Sequence, residues 1–348
     1  MAFDDTPTLE PIDALRRIAF LLERSRGETR KVEAFRKAAG VVLTTGEDEI
    51  RARAEAGTLT ELPGIGASTA KVVTQTLAGQ VPDYLAKLDD GPLVPQTPET
   101  VAMREALRGD LHSHSDWSDG GSPIEEMVAT CLELGREYQA LTDHSPRLTV
   151  ANGLTAERLA TQLTIVEGIN AHLGGEFTLL SGIEVDILDD GSLDQTDEML
   201  DRLDVVVASV HSKLRMAKGP MTRRMLGAVE NPHTDVLGHC TGRLVTGGRG
   251  TRPQSEFDAE AVFEACAKHQ VAVEINSRPE RQDPPDDLVR LALDAGCLFA
   301  IDTDAHAPGQ LDFLAYGAAR AAELGVPAER IVTTWPLDEL RAWTLRRR

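Results

Sequence analysis

This sequence predicts an α/β protein, a parallel βα barrel preceded by a small all-helical domain. Three observations lead there. Seven short apolar runs each end in a group able to bind a metal or do chemistry: GDLHSH (109–114), QALTDH (139–144), LLSGIEVD (179–186), VVVASVH (205–211), DVLGH (235–239), VAVEINSR (271–278) and LFAIDTDAH (298–306). Helical stretches alternate with these runs, at 123–135, 155–173, 220–230, 256–269, 284–295 and 310–324. Such alternation marks βα units around a parallel sheet. Ahead of them, residues 11–80 carry helical spacing and a glycine turn. Strand ends that all finish in polar groups must converge, and the C-terminal mouth of a parallel barrel is the simplest geometry that does so.

The elements follow in order. Leu15, Ile18, Ala19 and Leu22 recur at the spacing of one apolar helix face. LPGIGASTAKVV (62–73) is a glycine turn opening a helix. Gly64 and Gly66 permit a tight turn whose N–H groups, with the helix N-terminus behind them, suit a phosphate oxygen. From Val81 to Thr100 the pattern dissolves, and Pro82, Pro92, Pro95 and Pro98 with Asp89-Asp90-Gly91 mark a linker. The expected division is a helical domain over 1–88, a linker over 89–105 and a barrel over 106–348.

A chain of 348 residues has room for both. The net charge of −20 argues against a bulk basic surface. It is uneven, with 12 basic and 15 acidic side chains in residues 1–90 and 24 and 41 in the remainder. Between Arg16 and Lys37 eight basic residues face three acidic ones, a candidate phosphate-facing patch that includes Arg36 and Lys37. The acidic start lacks a signal pattern, and no run approaches the ~18 apolar residues of a membrane span, so the cytoplasm is expected. Cys131, Cys240, Cys266 and Cys297 are far apart with no CxxC, so reduced thiols are expected.

His112 and His114 lie two apart on an extended segment and therefore share a face. Asp119, His144, Glu184, His211, His239, Asp304 and His306 join them at strand ends. Imidazole with carboxylate suits Zn, Mn or Fe without selecting one. So many ligands exceed one tetrahedral site, which implies two or three divalent ions. Such a cluster acidifies a bound water and clamps phosphate oxygens, so hydrolysis of a phosphate ester is the natural reaction. No catalytic group distinct from the cluster is predicted. Arg243, Arg278 and Arg281 are candidates to grip the substrate phosphate, their guanidinium forks matching its oxygens. Lys213 and Arg215 rank beside them, and Asp302 is a candidate to support a ligand.

The motifs DLHSHSDWSDG, TDHS, GIEVDI, SVHS, GHCTGR, EINSRPER and DTDAH, taken in order, resemble the polymerase and histidinol phosphatase (PHP) domain over about residues 106–335. The stretch VASVHS…MTRRMLGAVENPHTDVLGHCTGRL resembles more closely the PHP domain at the C-terminus of bacterial family X DNA polymerases. That resemblance implies a distorted seven-stranded βα barrel. It places one ion on His112, His114, Glu184 and Asp304, a second on Glu184, His211 and His239, and a third on Asp119, His144 and His306. The family often has His where this chain has Asp119, and a carboxylate still permits the third ion. LPGIGASTA resembles the helix-hairpin-helix motif, and residues 12–88 resemble the DNA-binding domain of polymerase beta-like enzymes. The implied DNA contacts are Gly64, Ile65, Gly66, Lys71, Arg36 and Lys37.

Two departures limit the analogy. Val72 stands where the polymerase beta lyase has its Schiff-base lysine, and Lys71 lies about 100° away round the helix. The palm and fingers have no counterpart, so a polymerase is not expected. The leading expectation is a phosphoesterase acting on DNA: a 3′–5′ exonuclease, a 3′-end processing enzyme or an abasic-site endonuclease in repair. The alternatives are a small-molecule phosphatase of the histidinol phosphatase type and a non-catalytic DNA-binding accessory protein.

Overall fold

The computed structural model describes residues 9–247 and 250–346. The acidic start of the chain, residues 1–8, lies outside the described residues. The chain divides into two compact units, Met1–Gly91 and Pro92–Arg348.

The first unit is helical: α1 (Pro11–Arg24), α2 (Thr29–Thr45), α3 (Glu47–Ala56) and α4 (Ala67–Leu77). Its core is the stripe read from the sequence, Leu15, Ile18 and Leu22, closed by Phe35, Ile65 and Val73. Gly57, at φ 70°, ends α3 with a left-handed turn, the conformation glycine adopts without a Cβ penalty.

The second unit begins earlier than expected. Pro98–Ala106 is a helix, α5, and not linker. Thr97 caps it by accepting the Thr100 N–H at 3.2 Å, and Pro98 occupies its first turn, where a missing N–H costs nothing. Met103 and Leu107 join the barrel's core, and Arg104 reaches Asp312 at 2.6 Å. The expected linker of 89–105 therefore ends before residue 98, because the last proline of the run starts a helix.

Seven parallel strands follow in chain order round a nearly closed barrel: β1 (Gly109–Asp110), β2 (Tyr138–Leu141), β3 (Thr178–Asp186), β4 (Val205–Ser209), β5 (Val236–Leu237), β6 (Ala272–Asn276) and β7 (Leu298–Asp302). Between them run α6 (Ile124–Glu133), α7 (Ala156–Leu173), α8 (Asp197–Leu200), α9 (Lys218–Glu230), α10 (Ala259–His269) and α11 (Asp286–Asp294), with α12 (Leu314–Glu323) and α13 (Leu337–Leu345) after β7. Among the described residues, no helix is long and apolar enough to cross a membrane.

The strand period explains how one chain builds both a core and a site. Outward residues such as Ile183, Val206, Val273 and Phe299 pack against the helices. The opposite face begins apolar with Leu180, Val205, Ala272 and Ala300, closed below by Val332, Leu340 and Trp343. Two and four residues further on, the same face carries Glu184, Glu274, Asn276 and Asp302. The lower barrel is thus hydrocarbon and its upper mouth is polar.

The seam between β1 and β7 is closed by side chains and a single parallel bridge, Ser113 to Ala305. The Asp302 carboxylate accepts the Leu111 N–H at 2.8 Å, and Asp110 accepts the Thr303 N–H at 3.2 Å and its hydroxyl at 2.5 Å. Burial lifts Asp110 to about 6 against the pull of these bonds, and Asp302, buried beside Asp110 and Glu274, is lifted well above the carboxylate range.

Candidate metal centre

All nine predicted ligands lie at the C-terminal mouth of the barrel. His112 and His114 follow β1, Asp119 sits in the loop beyond, and His144 follows β2. Glu184 is within β3, His211 follows β4, His239 follows β5, and Asp304 and His306 follow β7. His239, at φ 20°, and Asp304, at φ 51°, take left-handed backbone, which non-glycine residues adopt at a cost that clusters at functional sites.

Glu184 is the hub. Its Oε1 lies 2.9 Å from His239 Nε2 and 3.1 Å from His211 Nε2. Its Oε2 lies 2.9 Å from His144 Nδ1, 3.3 Å from His112 Nε2 and 3.6 Å from His114 Nε2. Burial opposes its charge, yet the imidazoles of His211, His112 and His144 hold it well below the carboxylate range. Asp304 sits 3.5 Å from His114 Nε2, and Asp119 bridges His144 and His306 at 3.4 and 3.3 Å.

The donor set fits metal ions. Among the described residues, both ring nitrogens of His114, His112 Nε2, His239 Nδ1 and Glu184 Oε2 are buried without a hydrogen bond. Leaving that many polar atoms unsatisfied is costly, and a cation is the partner that imidazole and carboxylate share. Three sets bring their ligand atoms within 4.8 Å of one another: His114, Asp119, His144 and His306; His112, His114 and Asp304; and His144, Glu184 and His211. Relative to the division implied by resemblance, Glu184 is absent from the His112 set, His114 also joins the Asp119 set and His144 joins the Glu184 set. His239 reaches its neighbours through Glu184.

The polar partners of the ligands were partly missed in the sequence. Glu274 Oε1 lies 2.6 Å from His112 Nδ1, and its Oε2 accepts the His239 N–H at 2.5 Å. It turns His112 Nε2 toward Glu184, the carboxylate–histidine arrangement common at metal sites. Burial works against charge on His112, but Glu184 and Glu274 hold it well above the histidine range. Asp186 stands 3.3 Å from His211 Nδ1. Buried Asp143 accepts from Ser115 Oγ at 2.6 Å, Ser118 Oγ at 2.5 Å and Gln162 Nε2 at 2.7 Å, shaping the loop that carries Asp119. Arg224, buried in α9, donates to the Ile187 and Ser212 carbonyls at 2.9 Å each and so ties together the loops flanking His211. Asp302, expected behind a ligand, instead holds the Leu111 amide. The only signal of Glu274 was its parity with Asn276 on an apolar strand.

The mouth opens into a cleft of about 490 Å³ whose lining includes Arg278 and Arg281. Arg281 Nε lies 3.0 Å from Asp304 Oδ2, and Arg278 Nη1 donates to the Asp304 carbonyl at 2.9 Å. Arg243 is placed differently from expectation. It does not line the cleft, and its Nε donates to the carbonyls of Gln282 at 2.9 Å and Arg281 at 3.2 Å. Its fork is spent bracing the loop that carries Arg281.

The predicted DNA contacts of the helical unit also divide. Gly64 takes φ 105°, and a Cβ there would come within 3.0 Å of Lys37 Cε and Val41 Cγ2. The exposed Lys37 therefore lies along the turn. Gly66 caps α4, its N–H donating to Thr69 Oγ1 at 3.0 Å, and faces open space. Ile65 is buried in the core, so it offers only backbone. Arg36 is not a free cation: Nε and Nη2 grip the buried Glu23 at 3.0 and 2.7 Å. Lys71 is tied to Asp83 at 2.6 Å. Arg17 pairs with Asp90 at 2.5 Å, Arg24 with the Gly91 carbonyl at 2.7 Å and Lys31 with Glu28 at 2.8 Å. Within the basic patch, Arg17, Lys31 and Arg36 are thus neutralised by carboxylates of the same unit, which its charge count alone did not reveal.

Residues 110–278 match the PHP domain, and residues 7–81 match a helix-hairpin-helix domain. The barrel thus carries a PHP domain. PHP domains make up a family of metal-dependent phosphoesterases. The chain is similar to the DNA polymerase/3′-5′ exonuclease PolX of Bacillus subtilis, 38% identical over 240 residues, covering 69% of this chain and 41% of that protein. It thus spans about two-fifths of that relative's length. It is also similar to a protein named "Probable phosphatase YcdX" from Escherichia coli O139:H28, 27% identical over 238 residues, covering 65% of this chain and 90% of the other. Among solved structures it is similar to histidinol phosphate phosphatase from Lactococcus lactis, at 18% identity and a TM-score of 0.47 over 63% of this PHP-domain chain and 94% of the other.

Proposed function

We propose that this protein hydrolyses phosphate ester bonds of DNA, at a 3′ end or a damaged site, with the helical unit holding the backbone and the barrel cutting it. The observation that carries the reading is the cluster of buried, unbonded imidazole and carboxylate atoms round Glu184, opening into a cleft that Arg278 and Arg281 line. Two or three divalent ions, Zn, Mn or Fe, would supply Lewis-acid polarisation of the phosphate and an acidified water. The nine predicted side chains would hold them, with His114 and His144 each common to two sets and Glu184 at the hub. Glu274 and Asp186 hold the rings of His112 and His211 in a fixed orientation. Arg281 would offer its remaining guanidinium N–H groups to the phosphate oxygens, and Arg278 would join it by exchanging Glu280, which its Nε and Nη2 hold at 3.1 and 2.9 Å.

DNA as substrate is supported by the helix-hairpin-helix match and by the turn at Gly64 and Gly66 that opens α4, because a helix N-terminus suits a phosphate oxygen and such a contact carries no base information. The similarity to a probable phosphatase across most of that protein's length supports the second reading, a small-molecule phosphomonoesterase.

The test is turnover of labelled single-stranded DNA, abasic duplex and histidinol phosphate, with Mn²⁺ and with Zn²⁺, beside a His112→Ala control. Metal-dependent cleavage of DNA absent from the control supports the proposal. Turnover of histidinol phosphate alone selects the second reading, and no turnover with intact DNA binding selects an accessory role.

A further inference from the structure

Behind the cluster the cleft has a lining that phosphate hydrolysis does not require. Leu148, Val150 and Ala151 line it from the loop after β2, and Leu214 and Leu244 from the loops after β4 and β5. Val150 is 92% exposed, the most exposed large apolar side chain among the described residues. It is not on a slack loop. Arg158 Nη1 holds the carbonyls of Asn152 and Gly153 at 2.6 and 3.1 Å, and Asn152 Nδ2 donates to the Trp117 carbonyl at 3.2 Å. A Cβ on Gly153 would stand 1.9 Å from the Ser145 carbonyl oxygen, so the turn is packed without slack. Leu214 is equally fixed. Its carbonyl accepts the Ser255 hydroxyl at 2.8 Å, and its Cδ2 would stand 2.8 Å from a Cβ on Gly242.

A rigid loop that displays an aliphatic side chain to solvent beside a hydrolytic centre points to a ligand that covers it. Arg215, next to Leu214, also lines the cleft and is exposed. Among the described residues, no acceptor lies within bonding distance of its guanidinium. The scissile phosphate has Arg278 and Arg281, so a further cation beyond an apolar wall fits a substrate with an apolar ring and a second phosphate.

We propose that Leu148, Val150 and Leu214 form a subsite for the nucleobase of the terminal nucleotide, and that Arg215 takes the next phosphate of the strand. This rests on the proposed phosphodiesterase reading and narrows it to a substrate at least two nucleotides long. A simple monoester fills only the phosphate position and leaves the subsite empty.

The test compares p-nitrophenyl phosphate, the p-nitrophenyl ester of thymidine 5′-monophosphate, and the dinucleotides TpT and pTpT. Val150→Ser is expected to raise KM for the thymidine ester about tenfold, the scale of one base contact, with p-nitrophenyl phosphate unchanged. Arg215→Gln is expected to erase a preference for pTpT over TpT of about tenfold, the scale of one charge-assisted contact. Calorimetric binding of pTpT to metal-free protein should weaken in both variants. If the wild type turns over none of these esters, the phosphoesterase reading itself fails. If it does, but Val150→Ser leaves the thymidine ester unchanged, or Arg215→Gln slows all substrates equally, the subsite is refuted while the phosphoesterase stands.

Discussion

The two units treat charge in opposite ways. In the helical unit, cations find partners within the unit: Arg36 on Glu23, Lys71 on Asp83, Arg17 on Asp90. In the barrel, imidazoles and a carboxylate are gathered into a buried mouth where, among the described residues, both ring nitrogens of His114, His112 Nε2, His239 Nδ1 and Glu184 Oε2 are left without hydrogen bonds. Where charges are satisfied, the residues hold the fold; where they are left unsatisfied and buried, the residues await something else. A count of charged residues could not separate these cases, because it does not state which side chains meet a partner.

The sharpest way to break this contrast is to remove the hub. Glu184→Gln is expected to lower turnover about a thousandfold, the scale of losing a preorganised electrostatic element, while circular dichroism stays native. Metal content measured on the same sample should fall with it; full metal content with full activity would undo the role given to Glu184.

Next is the opposite unit. Arg36→Gln removes the two-pronged contact with Glu23, 5% exposed, and should destabilise the helical unit by about 3 kcal/mol in a denaturant titration. Adding Glu23→Gln should recover much of that loss. A variant that loses DNA affinity at unchanged stability would instead make Arg36 a DNA contact.

The pH response separates the units further. Burial disfavours charge on His211, but Glu184 and Asp186 raise it to about 9 in the metal-free site. Its contribution to metal-free stability is therefore fully present below its unfolded value near ~6.5 and is lost as pH climbs toward about 9. Metal binding must displace that proton, so affinity for Zn²⁺ should rise across the same window, measured by competition with a chelator. A flat profile from pH 6.5 to about 9 would contradict the ion cluster around His211.

The smallest expected effects lie at the hairpin. Gly64→Ala forces a side chain into φ 105° and against Lys37 and Val41, costing about 1 kcal/mol and weakening DNA binding. Gly66→Ala meets open space at φ −96°, so it should leave stability within ~0.5 kcal/mol. Any loss of DNA affinity there reports a contact rather than a damaged turn.

Much of the barrel was legible because its signals are local. An apolar run ending in His or Asp states both the strand and the side of its end: the β3 run was placed almost to the residue, and the β7 run began on the strand's first residue and overran its end by four. α5 was misread because Pro98 serves equally as linker and helix start. The pairing of Arg36 with Glu23, thirteen residues earlier, depends on how α1 lies on α2, which no local pattern states. Glu274 was hidden because its meaning depends on which face of β6 looks inward. Arg243 and Arg281 were told apart only by where the loop folds.

The strands run round the ring in chain order, so the first and last elements meet only at the seam, where Asp110 holds Thr303 across 193 residues. During synthesis this has a timing consequence. Closing so long a loop waits on β7, which must leave the ribosome before β1 has a neighbour on that side, with α12 and α13 still to follow. His112 and His114 stand on one side of that seam and Asp304 and His306 on the other, so a ribosome-bound chain that stops short of residue 304 holds an open ring and an unfinished centre.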